Sequence, residues 1–354
     1  MNWTALKYTG ALISPIIISL SLFLGGLWTF SAVIYAFLLV PLLELFLPAS
    51  ERNMTKVEEA LAKADPIYDV MVYAIVPIQY YLLGVFLYTV STSTGLVWYE
   101  YVGLTTAMGT ACGVFGINVA HELGHRTRRH EQIMAKMLLM TSLYMHFFIE
   151  HNRGHHKTVS TDEDPASARY GESLYAFWGR SVVYGWLHAW TLEADRLRAA
   201  GRPVISIHNE MLRMQVLQVL FVVAIGLLFG WMAAGLFIGA AVFGFLLLET
   251  VNYIEHYGLR RRKNEHGAWE KTLPVHSWNS NHPIGRILLF ELSRHSDHHY
   301  IPSRPYQVLR HFDEAPQMPT GYPGMMFLSL FPPLWFRVMH KRIAALRAER
   351  PELG

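Results

Sequence analysis

The most informative pattern along the chain is the distribution of its uncharged positions. Four long stretches contain no Asp, Glu, Lys or Arg: residues 8–43, 70–99, 101–120 and 214–248. A helix needs about 20 mainly apolar residues to cross the hydrocarbon core of a membrane. The pattern therefore predicts membrane-spanning helices, and the first and last stretches are long enough for two crossings each.

Turn-forming residues divide these stretches into pairs of helices. Gly25-Gly26 divides residues 8–47, and Gly230 divides 214–248. The polar segment that begins at Ser91 separates two spans at about 70–91 and 100–120. We therefore predict an all-α integral membrane protein whose six transmembrane helices form three hairpins.

The remaining segments complete a single membrane domain over residues 1–354. We expect the first four helices in 1–120, a cytoplasmic histidine-rich segment in 121–213, the last two helices in 214–252, and a second histidine-rich segment with the tail in 253–354. The two polar segments form a cytoplasmic helical cap on the bundle. Two apolar segments of this cap, 134–149 and 324–338, are predicted to lie at the membrane surface because they are too short to cross it.

Clusters of basic residues follow two of the predicted spans. They are Arg126, Arg128 and Arg129 after the fourth span and Arg260, Arg261, Arg262 and Lys263 after the sixth. The positive-inside rule places both clusters in the cytoplasm, and six spans then place both termini there. The composition, with 52% hydrophobic and 16% charged residues and a net charge of +3, gives no support for nucleic-acid binding.

Histidine is the residue type that carries the candidate chemistry. The chain has 18 histidines, none before His121 and 17 between His121 and His311. The one cysteine, Cys112, excludes an internal disulfide and an iron centre held by four thiolates of this chain. A metal site built from imidazoles is the simplest explanation of this distribution.

Nine histidines are candidate metal ligands, eight of them at the close spacings of metal ligands and His256 alone at the end of the sixth predicted span. They are His121 and His125, His151, His155 and His156, His256, and His295, His298 and His299. Histidines four residues apart share one face of an α-helix and can bind one ion. Nine nitrogens exceed what one ion uses, so we predict a centre with two metals. A closed zinc site needs four ligands, whereas two iron ions can together bind and reduce O2, and we therefore favour iron.

The other polar residues near these histidines receive secondary roles. The neighbouring acids are Glu122, Glu150, Glu255 and Asp297, and we expect them to orient the imidazoles from the outer shell, with direct ligation as the alternative. Outside the spacing pattern stand single histidines, which we interpret as surface or hydrogen-bonding residues: His130, His188, His208, His266, His276, His282, His311 and His340. His146 is expected to pack in the 134–149 segment.

The sequence motifs that contain the nine histidines resemble those of a known family. His-Glu-Leu-Gly-His-Arg, His-Asn-Arg-Gly-His-His, Asn-Tyr-Ile-Glu-His-Tyr-Gly and Arg-His-Ser-Asp-His-His are similar to the boxes of membrane-bound alkane monooxygenases, within the fatty acid desaturase and hydroxylase superfamily. The likeness covers about residues 113–340 and includes the segments that start at Glu163, Tyr306 and Phe331. The box around His256 distinguishes alkane and xylene monooxygenases from the other members.

This resemblance implies a non-haem di-iron enzyme that uses O2 to convert the terminal methyl group of medium- or long-chain n-alkanes to a primary alcohol. It implies that the nine histidines are the iron ligands. It also implies a bacterial inner-membrane location, an alkane that enters from the lipid through an apolar tunnel, and electrons from rubredoxin, which an NADH-dependent reductase reduces. Rubredoxin needs four cysteines and residues 1–354 contain one, so we expect it on a separate polypeptide, with a rubredoxin domain that follows Gly354 as the alternative. The two basic clusters are expected to dock it.

Other functions remain open at this point. A fatty-acyl desaturase or an aromatic-methyl (xylene) monooxygenase would use the same histidine boxes. His121-Glu-Leu-Gly-His125 alone also matches the zinc-protease signature, with Glu122 as the general base, but seven histidines would then have no role. A metal transporter should instead place its ligands along a path through the membrane.

Overall fold

A computed structural model describes residues 3–350 of the chain. This part of the protein is helical, with two isolated β-bridges and no β-strand. The predicted all-α fold class is therefore confirmed. Met1 and Gly354, for which a cytoplasmic location is predicted, lie outside the described residues.

Fourteen helices organise this part of the chain. They are α1 (Lys7–Phe23), α2 (Gly26–Phe46), α3 (Lys56–Ala64), α4 (Ile67–Thr92), α5 (Trp98–Gly124), α6 (Arg129–Met140), α7 (147–158), α8 (Leu174–Ala199), α9 (Glu210–Phe229), α10 (Trp231–His256), α11 (Pro283–Leu288), α12 (His295–Tyr300), α13 (Tyr322–Ser329) and α14 (Pro332–Glu349). A helical turn, Trp3–Leu6, precedes α1, and short 3₁₀ turns at Pro274–His276 and Tyr306–Val308 interrupt the later loops.

Five of these helices are long and apolar enough to cross a membrane: α2, α4, α5, α9 and α10. The predicted spans 70–91 and 100–120 fall within α4 and α5, and Gly230, with φ of 92°, separates α9 from α10. Helix α1 is apolar but has only 17 residues. Large apolar side chains on the outside, such as Phe46 (84% exposed) and Leu228 (77% exposed), fit contact with lipid. The chain is a multi-pass membrane protein.

Glycines let α5 and α10 approach closely. A Cβ atom at Gly113 would lie 2.9 Å from the carbonyl oxygen of Gly244, and one at Gly244 would lie 2.5 Å from Cβ of Cys112. Gly109 faces Phe243 of α10 in the same way, one turn earlier. Small residues four apart allow such close backbone packing between membrane helices. This crossing aligns the ends of α5 and α10, where His121 and His256 lie.

The cap differs from the prediction in two places. The apolar segment 134–149 does not form one helix, because α6 ends at Met140 and the backbone at Leu143 adopts a positive φ of 48° before α7 begins. Helix α8, with 26 residues, was not predicted at all, since its charged residues hid it in the hydropathy pattern. The segment 324–338 is likewise divided between α13 and α14, because Pro332 and Pro333 occupy the first turn of α14, a position that proline favours.

Candidate metal centre

Four parts of the fold bring the nine histidines together. His121 and His125 lie at the end of α5, and His256 is the last residue of α10. The other six come from two short helices of the cap: His151, His155 and His156 from α7, and His295, His298 and His299 from α12. The rings form two groups, and the ring nitrogens of each group lie within 4.8 Å of one another.

The first group, the five-histidine cluster, contains His121, His125, His151, His156 and His298. Its rings direct their Nε2 atoms at a common point. The Nε2 atoms of His121 and His298 are 2.8 Å apart, those of His125 and His151 are 3.0 Å apart, and those of His156 and His298 are 3.1 Å apart. These rings come from three helices that are distant in sequence, so the tertiary fold assembles this cluster.

The second group, the four-histidine cluster, contains His155, His256, His295 and His299. The Nε2 atoms of His155 and His299 are 3.2 Å apart, and those of His256 and His295 are 3.3 Å apart. All four side chains are buried, with at most 3% of their surface exposed. The rings of His155 and His156 belong to different clusters but lie only 5.9 Å apart, so the two clusters are adjacent.

A π-helical turn decides how the α7 histidines are divided. The i to i+4 spacing suggested that His151 and His155 face one ion, but His151–His155 is a π-turn, in which hydrogen bonds join residues five apart. His151 therefore aligns with His156, and their Nε2 atoms are 3.0 Å apart. His155 is turned to the other cluster. A second π-turn, Cys112–Ile117, interrupts α5 before His121.

The donor set fits metal ions. Nitrogen ligands about 2.1 Å from a metal lie about 3.0 Å apart at right angles and about 3.4 Å apart in a tetrahedron. The distances of 2.8 to 3.1 Å in the five-histidine cluster therefore fit an ion with more than four ligands better than a closed tetrahedral site. Burial lowers the pKa of His125 to about 3 and holds that of His298 well below its usual value. These two imidazoles are thus neutral, as ligation requires.

Three of the four predicted outer-shell acids bind other groups. Glu122 pairs with Arg126 (3.0 Å), and Oε1 of Glu150 lies 3.3 Å from Nδ1 of His188. Asp297 accepts from the backbone N–H of Arg310 (2.7 Å). The reason is geometric, because consecutive residues of a helix point about 100° apart and an acid beside a ligand faces away from it.

Glu255 has a different position from the other three acids. Its Oε2 lies 3.0 Å from Nε2 of His295, the same atom that faces His256. This carboxylate therefore faces the interior of the four-histidine cluster. Its placement agrees with the alternative of direct ligation rather than with an outer-shell role.

The sequence reasoning missed Asp164, which is the carboxylate that contacts a cluster histidine from the outer shell. Oδ2 of Asp164 lies 2.9 Å from Nδ1 of His155 and accepts a hydrogen bond from Ser167. Such a carboxylate fixes the orientation of a ligating imidazole and raises its basicity. Asp164 is nine residues from His155 in a loop, so no helical spacing connects the two. The segment that starts at Glu163 had drawn attention only through the family resemblance.

An apolar cavity leads to both clusters from inside the bundle. His121 and His151 of the first cluster, His295 of the second, and Glu255 lie along its wall. The rest of the wall is largely apolar, with Phe37, Leu247, Val251 and Met326 among its members. A second apolar cavity shares Ala36, Val114, Leu289 and Pro323 with the first and extends towards Ile18 and Val40. The two cavities are therefore adjacent, and together they extend from α1 and α2 towards the histidines; we call them the apolar path.

The predicted docking arginines are divided between the interior and the surface. Arg126 binds Asp69 (2.6 Å), Glu122 and Glu131 (2.9 Å). Arg261 is 8% exposed and donates to the carbonyl oxygens of Lys157, Val159 and Glu270. These two residues hold the cap together. The remaining members of the two basic clusters are more accessible: Arg128, Arg129, Arg262 and Lys263 are exposed, and Arg260 is half-buried.

The single histidines lie outside both clusters. Nδ1 of His188 faces Glu150, and Nδ1 of His276 accepts from the backbone N–H of Leu273 (3.0 Å). The buried ring of His146 packs against Tyr144, with ring centres 4.3 Å apart.

Known proteins give an independent comparison. A fatty acid desaturase family model matches residues 96–329. Alkane 1-monooxygenase 2 of Pseudomonas aeruginosa is 42% identical over 91% of this chain and 85% of its own length. Alkane 1-monooxygenase of Acinetobacter baylyi is 39% identical over 86% of this chain and 74% of its own. The xylene/toluene monooxygenase hydroxylase component of Pseudomonas putida is only 28% identical, over 68% and 64%. The chain therefore belongs to the alkane monooxygenase family.

Proposed function

We propose that the two histidine clusters each hold one iron ion and that this centre hydroxylates the terminal methyl group of medium- or long-chain n-alkanes. The family supports the reaction, since its relatives are alkane 1-monooxygenases at 39 to 46% identity. The observation that carries the proposal is the apolar cavity that ends at His121, His151 and His295. An unfunctionalised hydrocarbon is the substrate that such a wall accommodates.

The reaction consumes an alkane, O2, two electrons and two protons and yields a 1-alkanol and water. Two irons would supply the redox chemistry that reduces O2 and places one of its oxygen atoms in a carbon–hydrogen bond. The chain contributes the position of the substrate. A straight apolar path lets the end of an alkane approach the clusters, whereas its interior carbons remain beside Val114 and Leu247.

The nine histidines and Glu255 are the proposed ligands, and Asp164 orients His155. The buried rings exclude water from the metal sites. Because the pKa values of His151 and His156 are held well below normal, chiefly by burial, these rings do not carry protons that would repel a cation.

We further propose that rubredoxin, reduced by an NADH-dependent reductase, supplies the electrons. The exposed Arg128, Arg129, Arg262 and Lys263 are the solvent-accessible part of the predicted docking surface, where an acidic partner would bind. Burial of Arg126 and Arg261 removes them from this role.

In the proposed topology, α1 completes six spans in three hairpins in a bacterial inner membrane, with the clusters and both termini on the cytoplasmic side.

The test is product analysis with purified, detergent-solubilised protein, reconstituted with rubredoxin and its reductase. The iron content should be about two per chain, since each cluster provides four or five nitrogens. A mixture of n-alkanes, fatty acids and xylenes under ¹⁸O₂ should give mainly ¹⁸O-labelled 1-alkanols. Mass spectrometry separates this result from the alternatives.

Each alternative has its own product. An alkene from a fatty acid would identify a desaturase, and a benzylic alcohol as the main product would identify a xylene monooxygenase. Tightly bound zinc, with peptide cleavage that needs no O2, would identify a protease. Any of these outcomes would contradict the proposed function.

A further inference from the structure

A second large cavity, with a volume of about 390 Å³, lies beside the centre and has a different lining. It is bounded by Lys7 at the start of α1, by residues that follow α2, by α11 and by Glu291 and Arg294. Arg294 directly precedes His295 in the chain. None of the nine histidines lines this cavity, so it is separate from the hydrocarbon path.

Cations outnumber carboxylates in the wall of this cavity. Lys7, Arg52, Arg286 and Arg294 face only two carboxylates, those of Glu58 and Glu291. Glu291 is shared, since its oxygens lie 2.8 Å from Nζ of Lys7 and 2.6 Å from Nε of Arg286. Arg52 pairs with Glu58 at 2.8 Å. The cavity therefore carries an excess of two positive charges.

The excess charge is concentrated on a buried side chain. Arg294 is 2% exposed, and within residues 3–350 no carboxylate oxygen lies within 4.0 Å of its guanidinium, so Glu291 and Asp297 act on its charge only from a distance. Its guanidinium donates only to neutral acceptors, namely carbonyl oxygens of Leu309, Ser50 and Arg52 and the Asn53 amide oxygen, and its Nε has no acceptor. A buried charge without an opposite charge is costly. An anion in the cavity would supply the missing negative charge.

The position of the cavity indicates which anion it takes. Lys7 immediately precedes the uncharged stretch 8–43, so the cavity opens where the chain enters the hydrocarbon region. Apolar side chains of Met54, Leu61 and Ile287 lie among the cations. Leu61 and its neighbour Val57 on α3 are 63% and 70% exposed, which fits contact with a membrane surface.

We propose that this cavity binds the phosphate headgroup of an anionic phospholipid. Arginine and lysine side chains are the groups that bind phosphate oxygens best. The apolar wall fits the first carbons of the acyl chains, for which a free phosphate ion has no counterpart. The headgroup contacts the segment that leads into α12, which carries three of the nine histidines.

The proposal is tested by native mass spectrometry of the full chain released from nanodiscs that contain equal amounts of phosphatidylglycerol and phosphatidylcholine. We expect one phosphatidylglycerol to remain bound per chain. The double variant Lys7→Gln/Arg52→Gln removes two accessible cations and should reduce the retained phosphatidylglycerol at least about tenfold. Lys341→Gln, which removes an exposed lysine of α14 outside the cavity, is the matched control and should retain the lipid.

Two results would overturn the proposal. One is equal retention of both lipids, or unchanged retention of phosphatidylglycerol by the double variant. The other is retention of inorganic phosphate instead of phosphatidylglycerol when both are supplied, which would identify a site for free phosphate. Alkane hydroxylation by the double variant checks that the protein is folded, since neither residue lies at the metal centre or along the apolar path.

Discussion

Replacement of His155 or of His156 by alanine tests how the nine rings are divided. These residues are adjacent in sequence, yet the π-turn places His155 in the four-histidine cluster and His156 in the five-histidine cluster. His156→Ala leaves four nitrogens in its cluster, as many as the other cluster has intact. His155→Ala leaves three nitrogens and the carboxylate of Glu255 in its cluster, and it also removes the hydrogen bond between the ligand and its outer partner Asp164.

The expected difference in iron content follows from what each substitution removes from its cluster. Loss of an outer-shell partner alone lowers metal affinity about 10- to 100-fold, so loss of a direct ligand should cost at least as much. We expect the His155→Ala protein to keep about one iron per chain and the His156→Ala protein to keep more, close to two. His146→Ala removes a buried histidine outside both clusters and should leave the iron content unchanged.

The assay is iron by inductively coupled plasma mass spectrometry, divided by protein from amino-acid analysis, after washing with a weak chelator. Equal iron loss in the two variants, or greater loss in His156→Ala, would refute the division into five and four. Double variants give a second check. His151→Ala and His156→Ala should show the larger coupling in iron affinity because they share a cluster, whereas the coupling between His151→Ala and His155→Ala should be smaller.

Three further substitutions test other parts of the structure. Asp164→Asn should lower iron affinity at the four-histidine cluster about 10- to 100-fold, measured by chelator competition, while Asp162→Asn, whose side chain is 75% exposed, should not. Gly244→Ala places a Cβ atom 2.5 Å from that of Cys112 and should destabilise the protein by about 1–3 kcal/mol in thermal unfolding. Gly235→Ala, on the same helix with open space around it, should be neutral or stabilising, and equal melting temperatures for the two variants would contradict the packing argument. Ala36→Phe narrows the apolar path and should lower the ratio of 1-hexadecanol to 1-octanol formed from mixed alkanes at least about tenfold; an unchanged ratio would show that alkanes do not follow this path.

Local patterns in the sequence were sufficient to predict most of the membrane helices and to single out the nine histidines. Membrane helices are readable because lipid requires an uninterrupted apolar run, which explains the agreement at α4, α5, α9 and α10. The hydropathy pattern did not predict helix α8, because charged residues such as Glu193 and Arg196 lie along it. An uncharged stretch does not by itself fix the length of a helix. Helix α1 lies in such a stretch but has only 17 residues.

The sequence alone determined that eight histidines stand at ligand spacing beside apolar segments, with His256 alone at the end of another apolar segment. Only the tertiary structure decided which of them share a cluster, because a spacing of four residues aligns side chains in an α-helix but not in the π-turn at His151. The tertiary structure also decided that Asp164 rather than Glu150 binds a histidine of a cluster, and that Glu255 faces the cluster interior. Those contacts join loops and helices that are distant in sequence, and no local periodicity encodes the distance between them.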